Sequence, residues 1–118
     1  MKLTIALIVA IVIIIIILNS SKRKSLDRIF SLDRSQLFII DVRTKDEYDA
    51  GHFSAAVNIP SDEIEDRIGE IERHKDMGII LYCHSGSNAA TAEKLLKRNG
   101  FEKVINVGAY KGIKKYDA

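Results

Sequence analysis

The sequence lacks the residues that disulfide and metal sites need. It contains one cysteine, Cys83, so no disulfide can form within the chain, and a zinc site built on cysteine would be short of ligands. The three histidines, His52, His74 and His84, are scattered without the spacing that metal ligands show. We therefore expect neither a metal ion nor another cofactor.

A large excess of charge of either sign is also missing. The 118 residues include 18 basic and 16 acidic side chains, for a formal net charge of +2. Nucleic-acid binding proteins usually show a clustered basic face, which this balance does not indicate. We therefore expect no nucleic-acid partner.

Charge is absent from residues 3–18, which read LTIALIVAIVIIIIIL with one threonine as the only polar residue. As a helix this stretch spans about 24 Å, slightly short of a ~30 Å hydrocarbon core, and the side chains of Lys2 and Lys22 can reach the interfaces. A cleavable signal peptide has a shorter apolar region and a small-x-small cleavage site, which Asn19–Ser21 matches poorly. We predict a transmembrane anchor (or an uncleaved signal) over residues 1–20, with a cleavable signal peptide as the alternative.

Positive charge on the two sides of this segment predicts its orientation. Lys2 and the amino terminus stand on one side, whereas Lys22, Arg23, Lys24 and Arg28 stand on the other. The positive-inside rule places the more basic side in the cytoplasm. We therefore expect a single-pass membrane protein with a cytoplasmic domain. A periplasmic domain is the alternative, because an export signal has the same appearance.

About a hundred residues remain, enough for one compact domain and not two. Residues 21–30 are predicted to form a basic linker and a short helix, and residues 31–118 the domain. Apolar runs of strand length alternate there with helical patterns, which is typical of an α/β domain with a largely parallel sheet. The predicted strands are 37–40, 56–59, 79–82 and 104–107.

Local signals predict helices between these strands. Thr44–Glu47 matches a capping box, so a short helix should start there and end near Gly51. Ser61 is predicted to cap a helix whose apolar face is a stripe of isoleucines in 64–71. A further helix follows the third strand and ends at Asn99-Gly100, an ordinary C-terminal stop.

Cys83 follows the third strand directly, and α/β sheets bind ligands outside the carboxyl ends of their strands. The segment Cys83-His84-Ser85-Gly86-Ser87-Asn88 leads into a helix, whose unpaired N–H groups and dipole should favour the nucleophilic thiolate. Gly86 lets the loop curl so that its amides converge, and Ser85 and Ser87 could add hydroxyl donors. The alternative from these residues alone is a small, buried, hydrophobic cysteine.

A nucleophilic sulfur surrounded by donors suits sulfur transfer. The thiolate attacks a sulfane sulfur, an anionic leaving group such as sulfite departs, and Cys83 holds a persulfide. A second thiophile then removes the sulfur. No general base is needed for an already ionised thiol.

Four motifs in series resemble the rhodanese-like family, and together they cover about Leu37 to Ile113. Each motif is weak by itself, but the order of all four is specific. The motifs are Asp41-Val42-Arg43 followed by Glu47-Tyr48, Gly51-His52-Phe53-Ser54-Ala55-Ala56-Val57-Asn58-Ile59-Pro60, Tyr82-Cys83 with Gly86, and Asn106-Val107-Gly108-Ala109-Tyr110.

The resemblance implies a single α/β rhodanese-like domain, with a five-stranded parallel sheet flanked by helices and preceded by one transmembrane helix. It implies that Cys83 carries the transferred sulfur. It also implies that the loop that follows binds substrate, through His84, Ser85, Gly86, Ser87 and Asn88. Asp41 and Arg43 would be structural, holding the base of that loop, and His52 and Asn58 would also support the structure.

The function implied is that of a thiosulfate sulfurtransferase-like enzyme. It would move sulfane sulfur from thiosulfate or a persulfide to a thiophilic acceptor through the Cys83 persulfide, without a cofactor. The expected partners are small sulfur-containing substrates or a thiol protein, together with the membrane through the N-terminal helix.

One departure from the family pattern concerns the donor. Active members commonly have arginine as the last loop residue, where a guanidinium would bind thiosulfate bidentately, and this chain has Asn88. The loss of this charge favours a less charged donor, such as a persulfide on a small thiol or a partner protein. Lys111 could supply charge, or it could be an ordinary solvated lysine.

Two other functions compete with sulfur transfer. Loss of the loop arginine favours a non-catalytic or weakly active rhodanese-like module that binds a partner at the membrane. Phosphatase-type loops carry arginine six positions after the cysteine, and this chain has Ala89 there, so phosphate would meet no guanidinium.

Overall fold

The computed structural model of the chain describes residues 2–117. Contacts divide the chain into two compact units, with the division between Leu32 and Asp33. The first unit contains one long helix. The second contains a parallel β-sheet and several shorter helices.

Helix α1 runs without a break over Lys2–Phe30. Its large apolar side chains between Leu3 and Leu18 are all exposed, with exposed fractions from 48% to 87%. The helix is long and apolar enough to cross a membrane, a property that a signal sequence near the N-terminus shares. Residues 21–30, for which a basic linker and a short helix were predicted, continue the same helix.

The second unit is built on a four-stranded parallel sheet. Its strands are β1 Leu37–Asp41, β2 Val57–Asn58, β3 Gly78–Cys83 and β4 Val104–Ala109, and they lie in the order β2-β1-β3-β4. The registers place Ile39 beside Ile80 and Ile80 beside Ile105. The two central strands, β1 and β3, bury most of their side chains, as apolar runs in parallel sheets do.

The expectation of five strands is wrong, because the sheet in residues 2–117 has four. Each of the four apolar runs predicted from the sequence contributes a strand, and the fifth was implied by the family resemblance alone. The segment before β1 is helical, in α1 and in a 3-10 turn over Arg34–Gln36, so no extended chain is left there to add a strand.

Two predicted helices are confirmed. Helix α2, Lys45–Asp49, begins after the capping box, in which Thr44 accepts from the Glu47 amide and the Glu47 side chain accepts from Thr44 N. Helix α4, Ser87–Arg98, ends at Asn99 with Gly100 in the left-handed region. Helix α4 packs on β3 and β4, so it covers the strand that carries the cysteine.

The helix predicted from Ser61 is wrong in its extent. Ser61 starts a 3-10 turn over Ser61–Glu63 without acting as a side-chain cap, and helix α3 covers only Ile68–Glu72. The amide of Ser61 instead donates to Val42 O at 3.0 Å. Residues 64–67 form turns, and the buried Ile64 and Ile71 reach the core without a continuous helix. A final short helix, α5, covers Tyr110–Ile113.

Candidate active site

Strand β3 brings Cys83 to the carboxyl edge of the sheet, as predicted. The strand lies between β1 and β4, and Cys83 is its last residue. Cys83 is 1% exposed and packs in the hydrophobic core. A cysteine that serves only as a core residue would be buried as well. The groups around the sulfur therefore have to distinguish a reactive cysteine from a core cysteine. A reactant has to approach this sulfur from the side of the loop that follows the strand.

The loop after β3 turns back on the sulfur. Gly86 has a φ of 94°, in the left-handed region that favours glycine, and its N–H donates to Cys83 Sγ at 2.7 Å. Helix α4 begins at the next residue, Ser87, so the sulfur lies beside the N-terminal end of a 12-residue helix. A donor aimed at the sulfur and the positive end of a helix dipole both stabilise negative charge there.

The other predicted loop residues face solvent. The Oγ atoms of Ser85 and Ser87 bond to each other at 3.0 Å, and His84 Nδ1 lies 4.0 Å from Glu47 Oε2. In the described chain, the hydrogen bond to the sulfur comes from the Gly86 amide and from none of these side chains. The exposed side chains of the loop are His84, Ser85, Ser87 and Asn88.

Asp41 and Arg43 form a buried ion pair at the end of β1. Arg43 Nη2 lies 2.7 Å from Asp41 Oδ2, and Arg43 Nε donates to both carboxylate oxygens. The guanidinium also donates to Gly51 O at 2.7 Å. The pair therefore fastens the end of β1 to the turn at Gly51. The Arg43 guanidinium also lies 5.7 Å from the centroid of the ring of Tyr82, which directly precedes Cys83 in the chain. Within residues 2–117 neither side chain of the pair bonds to 84–88, so its role at the base of the active loop stays a prediction.

The charge states around the ion pair follow from burial and from its own contacts. Burial acts to lower the pKa of the Arg43 guanidinium, but the hydrogen bonds and charge of Asp41 outweigh it and raise that pKa. Burial also raises the pKa of the Tyr82 hydroxyl, whose oxygen accepts from Phe53 N–H at 3.0 Å. Arg43 therefore stays a cation and Tyr82 stays neutral around pH 7.

His52 and Asn58 contact the backbone near this pair. Asn58 Nδ2 donates to the carbonyl oxygens of Asp41 and Arg43, at 3.0 Å each. His52 Nδ1 lies 2.9 Å from Tyr48 O, and its ring stacks on the Tyr48 ring with centroids 3.6 Å apart. These contacts order the chain around the end of β1 and lie away from the sulfur.

Asn106 supports the active loop, a role that the sequence analysis missed. Its Nδ2 donates to Gly86 O at 3.1 Å, and its Oδ1 accepts from Gly108 N at 2.8 Å. Leu81 pairs with Asn106 whereas Cys83 pairs with Ala109, so β4 has one residue more than β3 here, a β-bulge. The signal was the motif at 106–110, but its partner Gly86 follows β3 and comes close only through the pairing of β4 with β3.

We expect Asn106→Ala to loosen the loop. The substitution removes the side-chain partner of Gly108 N, which costs about 1–3 kcal/mol if water does not replace it. It also removes one of the two donors to Gly86 O, which keeps the bond from Ala90 N–H at 3.0 Å. The free energy of unfolding in urea and the rate of Cys83 alkylation by iodoacetamide measure the change. Asn99→Ala is the matched control, because that exposed side chain bonds only to Leu95 O in the described structure. Equal values for the two variants would contradict the role of Asn106.

A pocket of about 560 Å³ opens beside the loop and is called the rim pocket below. Several basic side chains and one tyrosine ring face it. The rim pocket is lined by Arg43, His84, Ala109, Tyr110, Lys111 and Lys114.

No group of three or more His, Cys, Asp or Glu side chains that could hold a metal ion is found in residues 2–117.

A cysteine at the end of a central parallel strand, with a loop amide and a helix N-terminus directed at its sulfur, defines a class of α/β domains whose site suits a thiolate nucleophile. The chain belongs to one family of this class, the rhodanese-like domain family, which it matches over residues 23–116.

Relatives of known sequence and structure agree with this assignment. The chain is 42% identical over 71 residues to YrkF of Bacillus subtilis, named as a candidate sulfur carrier protein, with 60% of this chain and 37% of that protein covered. It is 36% identical over 80 residues to a tRNA uridine(34) hydroxylase of Escherichia fergusonii, with 64% and 23% covered. The chain thus matches less than two thirds of the length of these curated relatives. A solved rhodanese with anions from E. coli is similar with a TM-score of 0.60 and 32% identity, covering 64% of this chain and 88% of that one.

Proposed function

We propose that the protein is a sulfurtransferase that carries sulfane sulfur on Cys83. The observation that supports this most directly is the hydrogen bond from Gly86 N–H to Cys83 Sγ, at the N-terminal end of α4. A cysteine that served only as a core residue would not need a backbone donor aimed at its sulfur. Membership of the rhodanese-like family supports the same reaction class.

The transfer takes place in two balanced steps. The Cys83 thiolate attacks the outer sulfur of the donor, one S–S bond forms as another breaks, and the electron pair leaves on sulfite when the donor is thiosulfate. A thiophilic acceptor such as cyanide or a thiolate then attacks the outer sulfur and regenerates the Cys83 thiolate. The donor amide of Gly86 stays beside the sulfur to stabilise its negative charge.

The first test is uptake of sulfur by the full-length protein in detergent. Incubation with thiosulfate or an organic persulfide should add the mass of one sulfur atom, and dithiothreitol should remove it. A chromogenic phosphate ester, assayed in parallel, should not be cleaved, because the position six residues after Cys83 is the buried Ala89. A protein that takes up no sulfur from any donor would instead support the partner-binding module, the second candidate, which the lack of a loop arginine favours.

A single substitution at Asn88 should change how well the protein uses thiosulfate. It is an exposed residue in the first turn of α4, where a guanidinium would bind the thiosulfate dianion bidentately. We expect Asn88→Arg to raise kcat/KM for thiosulfate about tenfold, the effect of one charge-assisted contact. Asn99→Arg adds the same charge at the other end of α4 and is the matched control. A similar gain in both variants would mean that net charge, and not the loop position, controls thiosulfate binding.

We also propose that α1 anchors the protein in a membrane, with the α/β unit in the cytoplasm. The exposed isoleucines and leucines between Leu3 and Leu18 support the anchor, since such a surface is costly in water and stable in lipid. The basic residues of 22–28 support the cytoplasmic side. Labelling of intact and lysed cells with a membrane-impermeant thiol reagent tests the side, because labelling in intact cells would exclude a cytoplasmic Cys83.

A further inference from the structure

The rim pocket has a net positive charge that comes from two lysines. Arg43 is neutralised by Asp41, and His84 lies 4.0 Å from the carboxylate of Glu47. Lys111 and Lys114 are exposed and take part in no ion pair within the described part of the chain. These two side chains are therefore available to an anionic ligand.

The rim pocket lies next to the reactive cysteine, although Cys83 itself is not among the residues that line it. Two of its lining residues adjoin Cys83, since His84 follows it in the chain and Ala109 is its partner in the register of β3 and β4. Lys111 and Lys114 come after Ala109, on α5 and on the turn that follows it. A ligand bound in the pocket would therefore have one end near Cys83 and the other near these lysines.

Tyr110 gives the rim pocket an aromatic wall that is held in place. The Arg43 guanidinium lies 4.6 Å from the centroid of the Tyr110 ring, and the Tyr82 ring stacks on it at 5.6 Å. Lys114 Nζ lies 5.3 Å from the same centroid. An aromatic surface with cations beside it suits an organic molecule that carries anionic groups.

We propose that the rim pocket binds the organic part of a low-molecular-weight thiol persulfide, with carboxylate or phosphate groups on Lys111 and Lys114. The inference rests on the proposed sulfur transfer through Cys83 and names its donor. In thiosulfate the anionic group is bonded directly to the sulfane sulfur and would lie at the loop, next to the uncharged Asn88. In an organic persulfide the anionic groups are several bonds away, where the lysines are. A volume of about 560 Å³ is also in the range of small-molecule sites.

The reaction with such a donor needs no further reagent. The Cys83 thiolate attacks the outer sulfur of the protonated persulfide, and the S–S bond of the donor breaks. The electron pair leaves on the thiolate of the small molecule, while the proton stays on the transferred sulfur. The products are the Cys83 persulfide and the free thiolate of the donor.

The test compares three donors with the full-length protein: glutathione persulfide with carboxylates, coenzyme A persulfide with phosphates as well, and uncharged 2-hydroxyethyl persulfide. The wild-type protein should prefer at least one anionic donor, and the larger preference identifies the anionic group. In Lys111→Gln/Lys114→Gln, the ratio of kcat/KM for the anionic donor to that for the uncharged donor should fall about tenfold. The matched control is Lys94→Gln/Arg98→Gln, which removes two exposed cations farther along α4.

The outcomes separate this inference from the sulfur transfer on which it rests. If the wild-type protein takes up sulfur from all three donors with the same kcat/KM, or if both double variants lower the ratio equally, the rim pocket is not the donor site, but Cys83 is still a sulfur carrier. Calorimetry with the unreactive S-methyl derivatives of glutathione and coenzyme A measures binding to the pocket without any sulfur transfer. Weaker binding to Lys111→Gln/Lys114→Gln alone would support the proposal, and no binding to the wild type would overturn it.

Discussion

Cys83→Ser is expected to abolish sulfur uptake by the full-length protein. A serine hydroxyl forms no persulfide, and the chain has no second cysteine that could take over the reaction. Thiocyanate formation from thiosulfate and cyanide should fall by ~10³-fold or more relative to any wild-type activity. Intact mass after incubation with each donor measures uptake directly, because the gain of one sulfur atom should be present in the wild type and absent in the variant.

The variant also separates the two candidate functions. Serine is similar in size to cysteine, so urea unfolding should show that the variant is folded before its activity is judged. A mass gain that persists in Cys83→Ser would place the sulfur on another residue and remove the basis of the mechanism. Equal inertness of the wild type and the variant toward every donor would leave the partner-binding module as the function.

Asp41→Ala is expected to cause the largest loss of stability of any single substitution considered. Asp41 is fully buried, and its carboxylate accepts from the amide and the guanidinium of Arg43. Without it a buried guanidinium has no counter-charge, which costs about 3–5 kcal/mol of the free energy of unfolding. Urea unfolding followed by tyrosine fluorescence measures the loss. The four tyrosines, Tyr48, Tyr82, Tyr110 and Tyr116, all lie in the α/β unit, and the chain has no tryptophan.

Asp49→Ala is the matched control for this prediction. It removes the carboxylate of an exposed ion pair, in which Lys45 Nζ lies 2.7 Å from Asp49 Oδ2. Solvent screens such a pair, so its removal should change stability far less. If the two variants lost similar amounts of stability, the buried pair would contribute no more than a surface contact.

The sequence predicted the strands well because each is a short apolar run with a clear end. The run before Asp41 and the run before Cys83 both became buried parallel strands, and the capping box at Thr44 started a helix as expected. Such signals are local, so they can be recognised without knowledge of the rest of the fold.

The features that the sequence did not predict depend on distant contacts. The helix expected from Ser61 is interrupted. The Ser61 amide donates to Val42 O, and the buried isoleucines Ile64 and Ile71 reach the core without a continuous helix between them. The Asp41–Arg43 pair bonds to Gly51 O, a partner that spacing along the chain does not reveal. The contact of Asn106 with the loop arises from the pairing of β3 with β4, and neither this contact nor the β-bulge has a signature within β4 alone.

The hydrogen bond from Gly86 to Cys83 has a consequence for how such a site can diversify. The group that contacts the sulfur is a main-chain amide, held by a glycine conformation and by Asn106. The side chains of the same loop point outward into solvent. Mutation can therefore alter what the loop recognises while the reactive sulfur keeps its surroundings, so that selectivity and reactivity are free to evolve separately.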